Sequence, residues 1–247
     1  MRNKIQLLAL SLVVGAGWCW AAPPPTTDLQ ATEGIQHRLD QAKVDKHGDV
    51  KVTYAGGVAT LTGTVDNLGS KLDAEKAAQK APGVTQVVDN IQVRAEGVGS
   101  QQILEQARHE IVMYYAYGIF DNVNLSVQNG TLTVSGQVTQ PFKKTDMGRI
   151  LERVKGVAAL ENNLEVLPVS NFDDRLRLQV ARAIYGDPYF IQYRNQALPP
   201  IHIIVKNGNV TLEGAVNSAM ESVMANMDAR SAGLSFSVAN NLQVAKS

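Results

Sequence analysis

The sequence predicts an α+β protein made of three tandem small α-β-β-α-β domains, each a three-stranded mixed sheet covered by two helices. Three sets of landmarks carry that expectation. The turn glycines Gly57, Gly130 and Gly208 lie 73 and 78 residues apart, and the strand glycines Gly63, Gly136 and Gly214 repeat those intervals, as do Asn90, Asn163 and Asn241. A period of this length is the size of a small domain and too long for a solenoid repeat.

Each element follows from its own residues. In the second copy Val123, Leu125 and Val127 alternate with polar residues up to Asn129-Gly130, and Leu132 and Val134 then alternate again. An Asn-Gly pair between alternating runs specifies a two-residue hairpin, because both turn positions need positive φ. The third copy repeats the pattern with Ile201, Ile203, Val205, Asn207-Gly208, Val210 and Leu212, and the first uses Gly56-Gly57. Leu61, Val134 and Leu212 share one place in the repeat and are expected to face a core. Gly63, Gly136 and Gly214 lie inside strands, where glycine marks a bulge or a closely packed helix.

A helix is expected after each hairpin. Ser218 and Glu221 form a capping box, and Pro141 suits a first helical turn. These helices end near Gly83, Gly156 and Gly233, each placed for a left-handed cap. A last strand carries Ile91 and Val93, Leu164 and Val166, or Leu242 and Val244. A further helix precedes each hairpin, at about 32–43, 100–117 and 172–185. Short linkers are expected near 97–100 and 167–172.

Upstream of the repeats, residues 1–21 read as a signal peptide. Arg2 and Lys4 are its positive region, Leu7 to Trp18 its apolar region, and Cys19-Trp20-Ala21 its small-x-small site. The apolar stretch is short for a spanning helix, which needs about 20 residues. A Pro-rich linker over 22–30 follows, then domains at 31–96, 100–167 and 172–247. Cleavage would remove Cys19, the single cysteine, and with it disulfides, thiol nucleophiles and Cys-ligated metals. The expectation is an exported, periplasmic protein.

Composition narrows the function. At 45% apolar and 19% charged residues the chain is globular rather than disordered. Cations and carboxylates are equal at 23 each, so no charge excess points to nucleic acid. His37, His47, His109 and His202 are scattered without metal-ligand spacing, and His202 sits on the polar phase of its strand. No nucleophile elbow, phosphate-binding loop or dinucleotide fingerprint occurs, and Asp173-Asp174 suits a helix N-terminus. No enzyme, metal or cofactor is expected.

The hairpins "NGTLTVSGQV" and "NGNVTLEGAV", with the later Gly-Val and Asn-Asn-Leu, resemble the BON domain over nearly all of residues 30–247. The first copy departs, with Gly56 for Asn and Asp89-Asn90 for Asn-Asn. The resemblance implies a non-enzymatic envelope protein that binds phospholipid or envelope partners. Two-copy members include an osmotically inducible periplasmic protein and an outer-membrane-associated one that recognises anionic lipid through the first helix of its last unit. By position, that contact maps to the helix with Arg175, Arg177 and Arg182.

The binding surface is sought among aromatics and arginines. Ten of the 12 aromatic residues outside the leader lie between 114 and 193, and eight of those ten form two clusters: Tyr114, Tyr115, Tyr117 and Phe120, then Tyr185, Tyr189, Phe190 and Tyr193. Packing between domains and an exposed surface both account for such clusters. The third unit adds Arg175, Arg177, Arg182 and Arg194, a connection from Tyr185 to Ile201 about ten residues longer than its counterpart, and a net charge of +1 against −1 in each other unit. Arginines beside tyrosines suit an anionic headgroup layer. The expected site is therefore Arg175, Arg177, Arg182, Tyr185, Tyr189, Phe190, Tyr193 and Arg194, with Tyr114, Tyr115, Tyr117 and Phe120 secondary. Association with anionic phospholipid in support of envelope integrity is the first expectation. The alternative is docking of an envelope partner, or of another copy, through the aromatic loops.

Overall fold

The computed structural model describes residues 27–94 and 97–245. The leader expected over 1–21, and the linker up to residue 26, lie outside the described residues.

Unit one runs α1 (Asp28–Gln41), β1 (Gly48–Ala55), β2 (Val58–Val65), α2 (Leu68–Gln79) and β3 (Gln86–Val93). Unit two repeats it with α3 (Ser100–Met113), β4 (Asn122–Gln128), β5 (Thr131–Val138), α4 (Pro141–Glu152) and β6 (Ala159–Val166). Unit three has α5 (Asn171–Gly186), a 3₁₀ turn (Pro188–Phe190), α6 (Ile191–Arg194), β7 (Ile201–Lys206), β8 (Asn209–Val216), α7 (Ala219–Ser231), β9 (Ser237–Asn240) and β10 (Gln243–Val244). In each sheet the second strand is central, antiparallel to the first and parallel to the last. The parallel return needs a crossover, and the helix between the two strands supplies it. In unit three the last strand is broken into β9 and β10, so that sheet has four segments.

The local expectations hold where chemistry is local. Gly56-Gly57, Asn129-Gly130 and Asn207-Gly208 all have positive φ at both turn positions. Leu61, Val134 and Leu212 are wholly buried, each in its own unit's core. Ser218 and Glu221 form the capping box, and Pro141 opens α4.

Other expectations are corrected. The helix expected over 100–117 stops at Met113, where Tyr114 turns into an extended conformation. Gly83 and Gly156 are left-handed, but Gly233 is not. The strand glycines mark neither a bulge nor a packed helix. The registers run through them without a break, and a Cβ at Gly63, Gly136 or Gly214 would stand 2.0, 2.1 or 2.0 Å from the carbonyl oxygen of Asp49, Asn122 or Pro200 on the neighbouring strand side.

The units are joined in two different ways. Unit one meets unit two through backbone: Leu68 N donates to Val157 O and Gly156 N to Asp66 O, both at 2.9 Å. Arg153 adds an ion pair to Asp73. Units two and three share a core, because Ile119 and Phe120 of unit two pack against the unit-three cluster and Ile203 N donates to Ile119 O at 2.6 Å. The segment leading there is held by Asp121, which is fully buried and accepts from Gly118 N, Thr139 N, Thr139 Oγ1 and Lys143 Nζ.

His202 belongs to this second junction. It lies on the outward phase of β7, as its alternation predicts, but that side is covered by unit two and the ring is buried. It stacks on Tyr117 with centroids 5.6 Å apart. Burial lowers its pKa, overcoming the opposing pull of the Asp121 and Gly118 backbone and of the Asp121 and Glu213 charges. A histidine held neutral in the fold binds fewer protons than in the unfolded chain, so stability is full above about pH 6.5 and falls as pH drops below it. We expect His202→Gln to flatten the wild-type decline in melting temperature between about pH 6.5 and 5. Parallel pH profiles for the two proteins would show that His202 does not set the decline.

Candidate functional site

The expected site residues divide into two groups. Arg175, Arg182 and Arg194 are exposed, and Tyr189 is half exposed. Arg177 is buried: its guanidinium donates to Val205 O at 2.8 Å and pairs with Asp174. The inward face of α5 is broad, taking Asp173, Leu176, Arg177, Val180, Ala181 and Ile184, so Arg177 falls on it beside Leu176. It ties the helix to β7 and is removed from the binding set.

The long connection also folds inward. Phe190 is wholly buried and stacks on Tyr193 at 6.1 Å. Tyr193 Oη donates to Glu221 Oε2 at 2.7 Å, and its pKa is pushed up to about 12 by burial and by that carboxylate. Tyr185 Oη donates to Ile201 O, and burial raises its pKa as well. Tyr185, Phe190 and Tyr193 thus plug the core of unit three, which corrects their place in the expected surface. The secondary cluster divides the same way. Tyr114 is buried with its hydroxyl donating to Asp146, Tyr117 lies on His202, and Phe120 enters the unit-three core. Only Tyr115 of that cluster is fully exposed, at 83%.

The surface that remains is the outer face of the helical layer of unit three. Helices α5 and α7 pack side by side on one face of the sheet, so their solvent stripes point away from it together. The α5 stripe is Arg175, Leu178 and Arg182; the α7 stripe is Met220, Val223 and Met227; Tyr189, Ile191 and Arg194 are exposed in the connection that Gln192 ties to Glu221 in the first turn of α7. The five apolar residues among these are each between 48% and 58% exposed. The 3-4 spacing of Met220, Val223 and Met227 was visible in the sequence, but the small Ala225 and Ala229, not these large residues, face the sheet. Asp228, on the same helix, has its carboxyl pushed up to about 6 by burial and by the charge of Asp187.

The basic helix α4 is a poorer surface, since Lys143 is committed to Asp121 and Arg153 to Asp73. Among the described residues no group of three His, Cys, Asp or Glu side chains could hold a metal ion, and no helix is long and apolar enough to cross a membrane.

A family model described as the BON domain matches residues 27–95, 117–168 and 173–246. The chain belongs to the BON domain family. Its three matches fall one to each unit, and the second begins past α3, inside the segment that joins units two and three. BON domains are binding modules, associated with phospholipid and with envelope or osmotic-stress roles. No curated protein matches the chain. Among solved structures, the C-terminal domain of CdsD, titled the structural protein of the type III secretion system of Chlamydia trachomatis, is similar at 17% identity with a TM-score of 0.26, covering 90% of this chain and all of that one. A second CdsD structure from that organism gives 16% identity and a TM-score of 0.26, covering 86% and 93%. Scores this low carry no argument about function. The BON assignment rests on the family match and on the three sheets.

Proposed function

We propose that this protein is a non-enzymatic, exported envelope protein of three BON units, at 31–96, 100–167 and 172–247, and that unit three binds anionic phospholipid surfaces in the periplasm in support of envelope integrity under osmotic stress. The observation that carries the reading is the outer face of α5 and α7. It combines Arg175, Arg182 and Arg194, none of which has an ion-pair partner among the described residues, with half-exposed leucine, methionine and valine. Guanidinium groups meet lipid phosphates while apolar side chains reach the headgroup boundary.

The test is co-sedimentation of the mature chain, residues 22–247, with phosphatidylglycerol-containing and with purely phosphatidylcholine vesicles across a salt series. Binding is expected only to the anionic vesicles and should weaken steeply with ionic strength. Replacing Arg175, Arg182 and Arg194 together by Ser should lower the affinity about a hundredfold at low salt, at about 1 kcal/mol per cation near an anionic surface. Circular dichroism should be unchanged, because none of the three is buried. Equal binding to both vesicle types, or a variant that binds as tightly as the wild type, would sink the proposal. Absence of vesicle binding at low salt would turn the search to a protein partner.

A further inference from the structure

The first turn of α5 and the α7–β9 connection converge on the β7–β8 hairpin tip of unit three. Asp173, wholly buried, accepts from Asn207 N at 2.9 Å and Gly208 N at 2.8 Å, fixing the tip to the first turn of α5. Phe172 and Phe236 stack at 6.1 Å beside that tip, and a Cβ on Gly208 would come within 2.7 Å of the Phe236 ring. Phe236 N donates to Gly208 O at 2.8 Å. These side chains are held in place yet face water: Leu234 is 81% exposed and Phe236 78%.

The other two repeats show that the fold does not need them. The backbone bond from Phe236 to Gly208 is made in unit one by Thr85 to Gly57 and in unit two by Ala158 to Gly130. At the place of Leu234, two residues earlier, units one and two carry Gly83 and Gly156. Unit three has replaced glycine and a small residue by leucine and phenylalanine where neither is buried. Moreover, the equivalent corner of unit two is covered by Asp66 and Leu68 of unit one, whereas this one stands open among the described residues.

The charge around the tip selects the occupant. Arg175 lines the same groove as Phe172 and Leu234. Asp173 is buried and satisfied, the exposed Asp174 pairs with Arg177 and Glu165 with Lys206, and Asn207, Asn209, Ser235 and Ser237 are neutral. Aromatic and aliphatic side chains at a loop tip, with a guanidinium at the rim and the carboxylates named here each paired or buried, match a headgroup layer over hydrocarbon. We propose that Phe172, Leu234 and Phe236 form a wedge that enters the headgroup–acyl boundary of an anionic membrane, with Arg175 at the level of the phosphates. This inference rests on the phospholipid reading above and adds to it a point of insertion.

The test places an indole at the tip. In the mature chain, residues 22–247, which carries no tryptophan, Leu234→Trp introduces one reporter. With phosphatidylglycerol–phosphatidylcholine vesicles, its emission should shift to the blue and be quenched by lipids brominated on the acyl chain. A chain that sediments with the vesicles while the indole stays unshifted and unquenched overturns the wedge and leaves the phospholipid reading standing. No sedimentation at any salt overturns both. A blue shift that appears with protein concentration in the absence of vesicles assigns the tip to a second copy and overturns the lipid occupant. As a second measurement, Leu234→Ser with Phe236→Ser should leave low-salt binding, carried by the arginines, nearly intact. At high salt, where apolar contact dominates, it should weaken binding roughly a hundredfold. Unchanged high-salt binding counts against the wedge.

Discussion

Phe190→Ala is expected to cost about 3–5 kcal/mol of stability, because a wholly buried phenylalanine leaves both lost transfer energy and a cavity. The loss reaches beyond its own contacts. Phe190 stacks on Tyr193, and Tyr193 is bonded to Glu221 and to Asn217 N, so the plug closes the end of α7 as well as the core. Denaturant unfolding gives the energy, and trypsin reports the loop: Arg194 is exposed but sits in α6, where the fold protects it from cleavage. The variant should be nicked there faster than the wild type, since local opening becomes easier. An unchanged unfolding midpoint together with an unchanged nicking rate would mean that the connection is a loose loop after all.

Gly214→Ala should be at least as damaging. Gly214 has φ of +107°, a conformation that costs a residue with a Cβ about 1–3 kcal/mol. The added methyl would also stand 2.0 Å from the Pro200 carbonyl, so β7 and β8 would have to part where their pairing begins. We expect unit three to lose its cooperative transition, followed by near-ultraviolet circular dichroism of its tyrosines. Gly186→Ala serves as the control: it has open space around it and an ordinary φ, and it should leave the transition where it is. A cooperative Gly214→Ala protein with wild-type stability would contradict the strand geometry.

What could be read from the chain and what could not follows from how local the physics is. Asn129-Gly130 and Asn207-Gly208 dictate their hairpins through their own φ preferences, and Ser218 with Glu221 caps a helix within one turn. Alternation placed Leu212 inward and His202 outward correctly. It reports the face of a sheet and says nothing of what covers that face, so the docking of unit two over His202 was out of reach. Arg177 misled for a related reason, since the apolar width of α5 is set by how deeply it sits against β7, a tertiary fact. For the aromatic connection, packing and exposure both stay open in the sequence, because its length is visible there and the gap it fills is not. The exposed Met220, Val223 and Met227 had the spacing of a buried stripe, and only the packing of Ala225 and Ala229 against the sheet turns them outward.

The bond between Ile203 and Ile119 has a consequence for any attempt to take the chain apart. β7 is the outermost strand of its own sheet, and its five residues from Ile201 to Val205 are all buried, partly by a stretch that belongs to the preceding repeat. In the whole chain that stretch occupies the edge beside Ile203, so the strand is not bare there. A fragment starting at residue 171 would lack the cover and would offer Ile-His-Ile-Ile-Val, both backbone and outward side chains, to any other chain. Precipitation of such a fragment would therefore describe the cut rather than the protein. The junction between the second and third repeats is a boundary in the sequence and not a seam along which the molecule separates.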